Sequence, residues 1–159
     1  MAVAFSGGCQ CGAVRYRIDG DIGNPHICHC RMCQKASGNY FMPLGWVQRE
    51  SFTLTRGAPS WFRSSDMVRR GFCQACGTPL FFEPVNSEGI NVTLGSLDEP
   101  EMAKPTLQSG QGSRLSFFHN LSELPDEAQE VSADWLTAVA RKTYQHPDHD
   151  TAEWPPKDE

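Results

Sequence analysis

Hydrophobic and polar residues alternate with a period of two in several short stretches of the chain. The clearest stretches are residues 14–18, 52–55 and 90–94. This alternation is typical of strands that bury one face, and two short apolar segments, residues 61–62 and 79–82, predict further strands. Glycine- and proline-containing stretches between them predict turns. We therefore predict a β-rich domain over residues 1–125.

A different composition begins near residue 127, and it predicts one helix followed by a polar tail. Ser132 is suited to cap the N-terminus of this helix. With 3.6 residues per turn, the side chains of Trp135, Leu136 and Val139 lie on one face of it. Residues 146–159 are rich in Pro, Asp and Glu, so we expect them to fray unless Trp154 packs against the domain. Residues 126–159 are thus assigned to a short C-terminal helix and a flexible polar tail.

Composition and charge narrow the possible partners. The 159 residues have a mass of 17.7 kDa and 39% of them are hydrophobic, which predicts one globular domain with a packed core. A net charge of −5 disfavours nucleic acid as the main partner. The N-terminus lacks the apolar region of a signal peptide, and no stretch approaches the roughly 18 apolar residues of a membrane span. We expect a cytoplasmic protein with no membrane partner.

Seven cysteines carry the candidate chemistry, and they fall into three short groups. The groups are Cys9 and Cys11, then Cys28, Cys30 and Cys33, then Cys73 and Cys76. Disulfides rarely persist in a reducing cytosol, and an odd number of cysteines cannot all pair. Metal binding or catalysis is therefore the preferred interpretation.

The first and last groups together supply four thiolates, the number that closes a structural zinc site. Cys73 and Cys76 flank two residues and precede Gly77, which is the form of a zinc knuckle. Cys9 and Cys11 form a second, tighter pair. If the fold brings both pairs together, the site is complete and chemically inert.

The middle group supplies three thiolates and leaves no cysteine for a fourth position. Three protein ligands and one exchangeable position are the pattern of a catalytic zinc, so we predict that Cys28, Cys30 and Cys33 form a reactive site. His26 or His29 is the alternative fourth ligand, and either would make the site structural. Zinc with three thiolates has a net charge of −1, which Arg31 and Lys35 can offset.

The residues around the cysteines resemble a known family. Residues 8–16, 28–38 and 72–80, in this order and spacing, resemble the glutathione-dependent formaldehyde-activating enzyme family, which shares its domain with centromere protein V. The resemblance implies a mostly β, Mss4-like zinc-containing fold of several small antiparallel sheets. It also implies two zinc ions per chain. The structural zinc would lie on the positions matching Cys9, Cys11, Cys73 and Cys76, and the catalytic zinc on those matching Cys28, Cys30 and Cys33.

This resemblance implies a carbon-sulfur lyase-type enzyme, similar to S-(hydroxymethyl)glutathione synthase. It would reversibly add a thiol, glutathione or a similar one, to formaldehyde or another small aldehyde. In this hypothesis zinc on the middle group holds the sulfur as a thiolate and presents it to the carbonyl.

Two other functions remain open. A zinc hydrolase or deaminase would carry a Glu two positions after a ligand, but the corresponding residues here are Cys30, Met32 and Lys35. A non-catalytic binding module would have two structural zinc ions and an exposed apolar patch. A role like that of centromere protein V is disfavoured because this acidic chain has no long basic extension.

Overall fold

A computed structural model describes residues 3–125 and 132–153, and its strands form two sheets. The smaller sheet is antiparallel and has the order β1-β2-β5. Its strands are β1 (Ala4–Gly8), β2 (Arg15–Asp19) and β5 (Phe52–Arg56). The alternation at residues 14–18 and 52–55 thus corresponds to two neighbouring strands.

The larger sheet has seven strands in the order β10-β3-β4-β9-β8-β7-β6. They are β3 (Gly23–Cys28), β4 (Met42–Gln48), β6 (Ser60–Ser65), β7 (Val68–Phe72), β8 (Pro79–Pro84), β9 (Gly89–Thr93) and β10 (Leu107–Ser109). The predicted mostly β fold is confirmed. Two features were not predicted: most strands join one large sheet, and β10 pairs with β3 in parallel.

The two α-helices are α1 (Arg31–Ser37) and α2 (Ala133–Arg141). Helix α2 confirms the prediction, and the Ser132 hydroxyl accepts a hydrogen bond from the Trp135 N–H at 3.2 Å. Helix α1 is too short to show a hydrophobic period and was not predicted. Short 3-10 helices cover Arg49–Ser51, Leu94–Ser96, Pro100–Ala103, Gln111–Ser113 and Phe118–Glu123. Within the described residues, no helix is long and apolar enough to cross a membrane.

The main core lies between the two sheets. Tyr16 from β2 contacts Phe81 from β8 edge-on, with 5.5 Å between the ring centroids, and both side chains are buried. Cys9 and Cys73 belong to the same buried cluster. A smaller cluster contains Cys33, Met42 and Leu44, against which Cys28, Cys30 and Phe82 pack. Each set of cysteines therefore adjoins its own hydrophobic cluster.

The described part of the C-terminal tail packs against the β domain, although its polar composition predicts fraying. The His146 N–H donates to the Gln10 carbonyl at 2.7 Å, and the His146 side chain is buried. Asp150 pairs with Arg15 at 2.7 Å, and Arg56 donates to the Thr151 carbonyl. Residues 126–131 and Trp154 lie outside the described residues, so the predicted boundary at residue 125 stays a prediction.

A buried ion pair holds β2 to the segment after β9. Arg15 is 3% exposed, and its two terminal nitrogens donate to the two oxygens of Asp98 at 2.7 and 2.6 Å. Burial alone raises the pKa of Asp98, but hydrogen bonds from Arg15 and Ser6 outweigh it and leave the pKa below its usual 3.8. The ionised Asp98 carboxylate therefore stabilises the fold fully above pH 3.8, its usual pKa. This stabilisation is lost as the pH falls through the lower pKa that Asp98 has in the folded protein.

We predict that Asp98→Asn lowers the free energy of unfolding at pH 7 by about 3 kcal/mol, because removing one partner leaves Arg15 poorly compensated. Asp19→Asn is the matched control. It breaks the exposed pair with Arg17 and should cost at most about 1 kcal/mol. Urea unfolding of the parent and both variants measures the difference. Equal losses in the two variants would contradict the structural role given to Arg15 and Asp98.

Candidate metal centres

Two loops bring the first and last cysteine pairs together. Cys9 and Cys11 follow β1, and Cys73 and Cys76 lie between β7 and β8. Their four sulfur atoms all lie within 4.8 Å of one another. The two loops share a hydrogen-bond pattern, since the first cysteine of each donates its N–H to the carbonyl five residues later at 2.9 Å. Each loop also contains a glycine of positive φ, 72° at Gly12 and 78° at Gly77, a conformation that glycine adopts without strain.

The distances between these sulfurs fit tetrahedral coordination. Zinc–sulfur bonds of about 2.3 Å place the sulfurs of a tetrahedron about 3.8 Å apart. The Cys9 and Cys11 sulfurs are 3.6 Å apart, and those of Cys11 and Cys73 are 3.8 Å apart. In a disulfide the two bonded sulfur atoms are only about 2.05 Å apart. All four cysteines are free, so the group fits one metal ion and does not fit two disulfides.

The surroundings of this group also favour a bound cation. Burial raises the pKa of Cys9 to about 12. At Cys76 burial also raises the pKa, but hydrogen bonds from the Thr78 hydroxyl and N–H outweigh it and lower the pKa to about 6. The Cys76 thiol thus ionises readily, whereas the Cys9 thiol does not. A cation bound among the four sulfurs would stabilise all of them as thiolates.

The second group lies where β3 meets α1. Cys28 ends β3, Cys30 caps α1 and Cys33 lies in its first turn, and their three sulfurs are within 4.8 Å of one another. The Cys33 N–H donates to the Cys30 sulfur at 3.4 Å. Burial raises the pKa of Cys28, but hydrogen bonds from the Ser109 side chain and the Cys30 N–H lower it overall. The parallel pairing of β10 with β3 is what brings Ser109 to this site.

The two histidines proposed as alternative ligands are not part of the second group. His29 is buried, its Nε2 pairs with the Gln108 side-chain oxygen at 2.9 Å, and its ring lies edge-on to Phe118. His26 pairs through Nδ1 with the Asn24 carbonyl at 2.8 Å. Among the residues that the structure describes, no His, Asp or Glu joins the three cysteines. Within the described residues, the second group is thus one of three sulfurs.

Arg70 is a site residue that the sequence analysis missed. It lies on β7, is 7% exposed, and its Nη2 donates to the Cys33 sulfur at 3.5 Å. Its Nε donates to the Ser64 hydroxyl at 3.2 Å, and its guanidinium lies 5.0 Å from the centre of the Phe82 ring. The pKa of Cys33 is raised to about 12 by burial, an effect that Arg70 opposes. A positive charge therefore stands in contact with the thiol group.

Two cavities flank the second group. One, of about 510 Å³, is an open cavity that we call the basic cavity. Its three cations are Arg31, Lys35 and Arg70, and Met32, Ala36, Phe62 and Ser64 form the rest of its lining. The other, of about 270 Å³, is lined by all three cysteines. The second group thus adjoins a ligand-sized space.

Comparison with known proteins gives a consistent family assignment. A family model described as glutathione-dependent formaldehyde-activating enzyme matches residues 4–110, more than half of the chain and all seven cysteines. Putative glutathione-dependent formaldehyde-activating enzymes of Fusarium vanettenii and Penicillium rubens are 30% identical over 84 residues and 31% identical over 85. These alignments cover 48% and 49% of this chain, and 45% and 44% of the relatives, so this chain spans less than half of their length.

A more distant relative and a solved structure extend the comparison. An uncharacterized lyase of Schizosaccharomyces pombe is 27% identical over 84 residues, which cover 53% of this chain and 61% of the lyase. The crystal structure of a Rhodobacter sphaeroides protein is similar with a TM-score of 0.53 at 17% identity. It covers 65% of this chain and 99% of that chain. At this identity the likeness shows the fold alone.

We predict that Cys76→Ser and Cys33→Ser each reduce the metal content from two ions per chain to one, with unequal effects on stability. Metal binding at a four-thiolate site is worth on the order of 10 kcal/mol, so Cys76→Ser should lower the free energy of unfolding by several kcal/mol. Cys33→Ser should lower it much less, because the three-thiolate group does not join the two sheets. Elemental analysis and urea unfolding test both expectations. Reversed stabilities, or one ion in the parent protein, would refute this division.

Proposed function

This chain belongs to the glutathione-dependent formaldehyde-activating enzyme family, and we propose on that premise that it is a zinc-dependent carbon-sulfur lyase. Its reaction is the reversible addition of a thiol, glutathione or a similar one, to formaldehyde or another small aldehyde. The observation that carries this proposal is the contrast between the two cysteine groups. One has four sulfurs, the number that a tetrahedral site takes, while the other has three sulfurs, all from cysteines that line one cavity.

The proposed reaction needs no oxidant or reductant. The S–H bond of the thiol breaks and a bond forms between its sulfur and the carbonyl carbon. The π electrons of the carbonyl become an O–H bond, and the proton that the thiol loses ends on that oxygen. The protein therefore has two tasks, which are to hold the thiol in its ionised form and to orient it toward the carbonyl.

The residues of the second group suit the first task. Bound to Cys28, Cys30 and Cys33, zinc would supply a soft position that takes up an additional sulfur and lowers its pKa. A dication and three thiolates have a net charge of −1, and the Arg70 guanidinium in contact with Cys33 offsets it. This compensation favours the approach of a further anionic sulfur, which the thiolates alone would repel.

The basic cavity suits the second task. Arg31, Lys35 and Arg70 line the 510 Å³ cavity, and an arginine can hold a carboxylate through two parallel hydrogen bonds. Glutathione carries two carboxylates and one thiol. We therefore place the body of the thiol substrate in the basic cavity, with its sulfur directed toward the cysteines.

The four-thiolate group has a structural role in this proposal. Zinc at Cys9, Cys11, Cys73 and Cys76 would join the loops after β1 and β7 and offer no open position, which makes two zinc ions per chain. Seven free cysteines favour a reducing compartment such as the cytoplasm. The hydrolase or deaminase alternative lacks its proton shuttle, because no carboxylate joins the second group in the part of the chain that the structure describes.

The proposed function is tested by glutathione binding and by aldehyde exchange. In protein loaded with cobalt(II), glutathione should shift the thiolate-to-cobalt absorption band, because another sulfur joins the metal. S-methylglutathione keeps both carboxylates but cannot supply a thiolate, so it should leave the band unchanged. Exchange NMR should then show faster interconversion of formaldehyde and its glutathione adduct than without enzyme. An unchanged band with glutathione and no acceleration with any aldehyde would refute the proposal.

We predict that replacing Arg31 and Lys35 together by Gln weakens glutathione binding about tenfold or more. Each charged contact at an exposed site is worth about 1 kcal/mol, and the loss should shrink at high salt. Lys104→Gln is the matched control, because Lys104 is exposed and lines neither cavity. Binding of 2-mercaptoethanol, which carries no carboxylate, should not change in either variant. An equal loss for both thiols would contradict the role given to the basic cavity.

A further inference from the structure

We propose that the 270 Å³ cavity receives the carbon chain of the carbonyl substrate, so that this protein acts on aldehydes with an apolar chain in preference to formaldehyde. The inference rests on the proposed function and adds the class of the second substrate. It follows from the volume of the cavity, the chemistry of its walls and its position relative to the basic cavity.

The cavity is larger than formaldehyde requires. Formaldehyde has two heavy atoms, and at about 30 Å³ for each water-sized group it and the attacking sulfur occupy well under half of the space. The space left over would hold water or a larger substrate. The remaining volume suits an unbranched chain of several methylenes.

The walls of the cavity are apolar. Four apolar side chains line it together with the three cysteines, namely Leu44 from β4, Val68 from β7, Phe82 from β8 and Met32 from α1. Leu44 is buried, and Phe82 packs against the same hydrophobic cluster. The surface that faces the cavity is almost entirely carbon and sulfur. Such a surface gains free energy when it contacts methylenes instead of water.

His26, Arg70 and Ser109 also line the cavity, and three further polar side chains there have hydrogen bonds within the protein. Ser64 accepts from Arg70 at 3.2 Å, and Ser65 accepts from the Met67 N–H at 3.2 Å. Asn91 donates to the Phe82 carbonyl at 3.4 Å. Polar atoms make up almost none of the surface that faces the cavity, so a polar substrate such as a sugar aldehyde would find fewer partners there than it leaves in water.

The two cavities separate the two substrates. Arg70, Met32 and Ser64 line both, so the cavities meet beside Cys33, which Arg70 contacts. A thiol whose carboxylates lie in the basic cavity directs its sulfur toward this junction. The carbonyl carbon must reach the same point, and the apolar cavity is the space that remains for the group attached to it. The bond that forms is the carbon-sulfur bond of the proposed function, with the thiol proton transferred to the carbonyl oxygen.

The first test is an aldehyde series at fixed glutathione. From acetaldehyde to pentanal, kcat/KM for adduct formation should rise about fourfold with each methylene, the gain that one buried methylene provides. A flat or falling series, with formaldehyde exchange still accelerated, would overturn this inference and leave the proposed function standing. A second series with formaldehyde and alkanethiols of increasing length tests the other assignment. If rates rise with the thiol chain instead, the cavity belongs to the thiol and the inference is wrong.

The second test fills the cavity. Val68→Phe should lower the ratio of kcat/KM for pentanal to that for acetaldehyde at least tenfold, because the larger ring takes the space of the chain. Val85→Phe is the matched control, since Val85 is 47% exposed and does not line the cavity. It should leave the ratio unchanged. Equal ratios in the two folded variants would overturn the inference, and the aldehyde series on the parent protein tests it even if Val68→Phe does not fold.

A binding measurement separates this inference from the reaction. Pentan-1-ol cannot form the adduct, yet it should shift the methyl NMR signals of Leu44 and Val68 at concentrations where ethanol does not. If these signals do not move, the cavity does not receive a carbon chain and the inference fails whatever the activity. If they move but no aldehyde exchange is accelerated, the proposed function fails and the assignment to an aldehyde fails with it.

Discussion

The architecture depends on the convergence of four cysteine sulfurs on one point. Cys9 and Cys73 belong to the main core, and their loops come from different sheets. Four thiolates at these distances repel one another unless a cation lies among them, so folding and metal binding are coupled there. The loop that begins with Cys73 continues from β7, and β7 carries Arg70 and Val68 to the second group. The four-sulfur group therefore lies at the end of the strand that carries Arg70 to the three-sulfur group.

The same ligand type occurs in two different surroundings. The first group has four sulfurs from two loops whose N–H groups and glycines repeat one arrangement. The second has three sulfurs from one strand end and one helical turn, and a cationic side chain stands against it. Nothing in thiolate chemistry alone separates structural from catalytic zinc. The number of sulfurs and the positive charge of Arg70 are what distinguish the two groups.

Short-range spacing was predictable, and long-range contacts were not. The cysteine spacings led to the two groups into which the structure gathers the thiols, and the Ser132 cap and its following apolar face identified α2. Arg70 could not be assigned, because 37 residues separate it from Cys33 and only the strand pairing brings them together. The parallel pairing of β10 and the contact of Asp150 with Arg15, 135 residues away, likewise depend on the folded chain.

An apolar compartment discriminates between aldehydes by degree. One additional methylene in a hydrophobic pocket is worth about 0.8 kcal/mol of buried area, or about fourfold in kcat/KM, and a smaller substrate still enters. Formaldehyde would therefore react at a site built for a longer aldehyde, although it would gain none of the binding energy of the chain. In the proposed function the anionic thiol is also recognised by degree, because Arg31 and Lys35 are exposed and each charged contact there is worth about 1 kcal/mol. Selectivity for the thiol would then come from charge, whereas selectivity for the aldehyde would come from buried area.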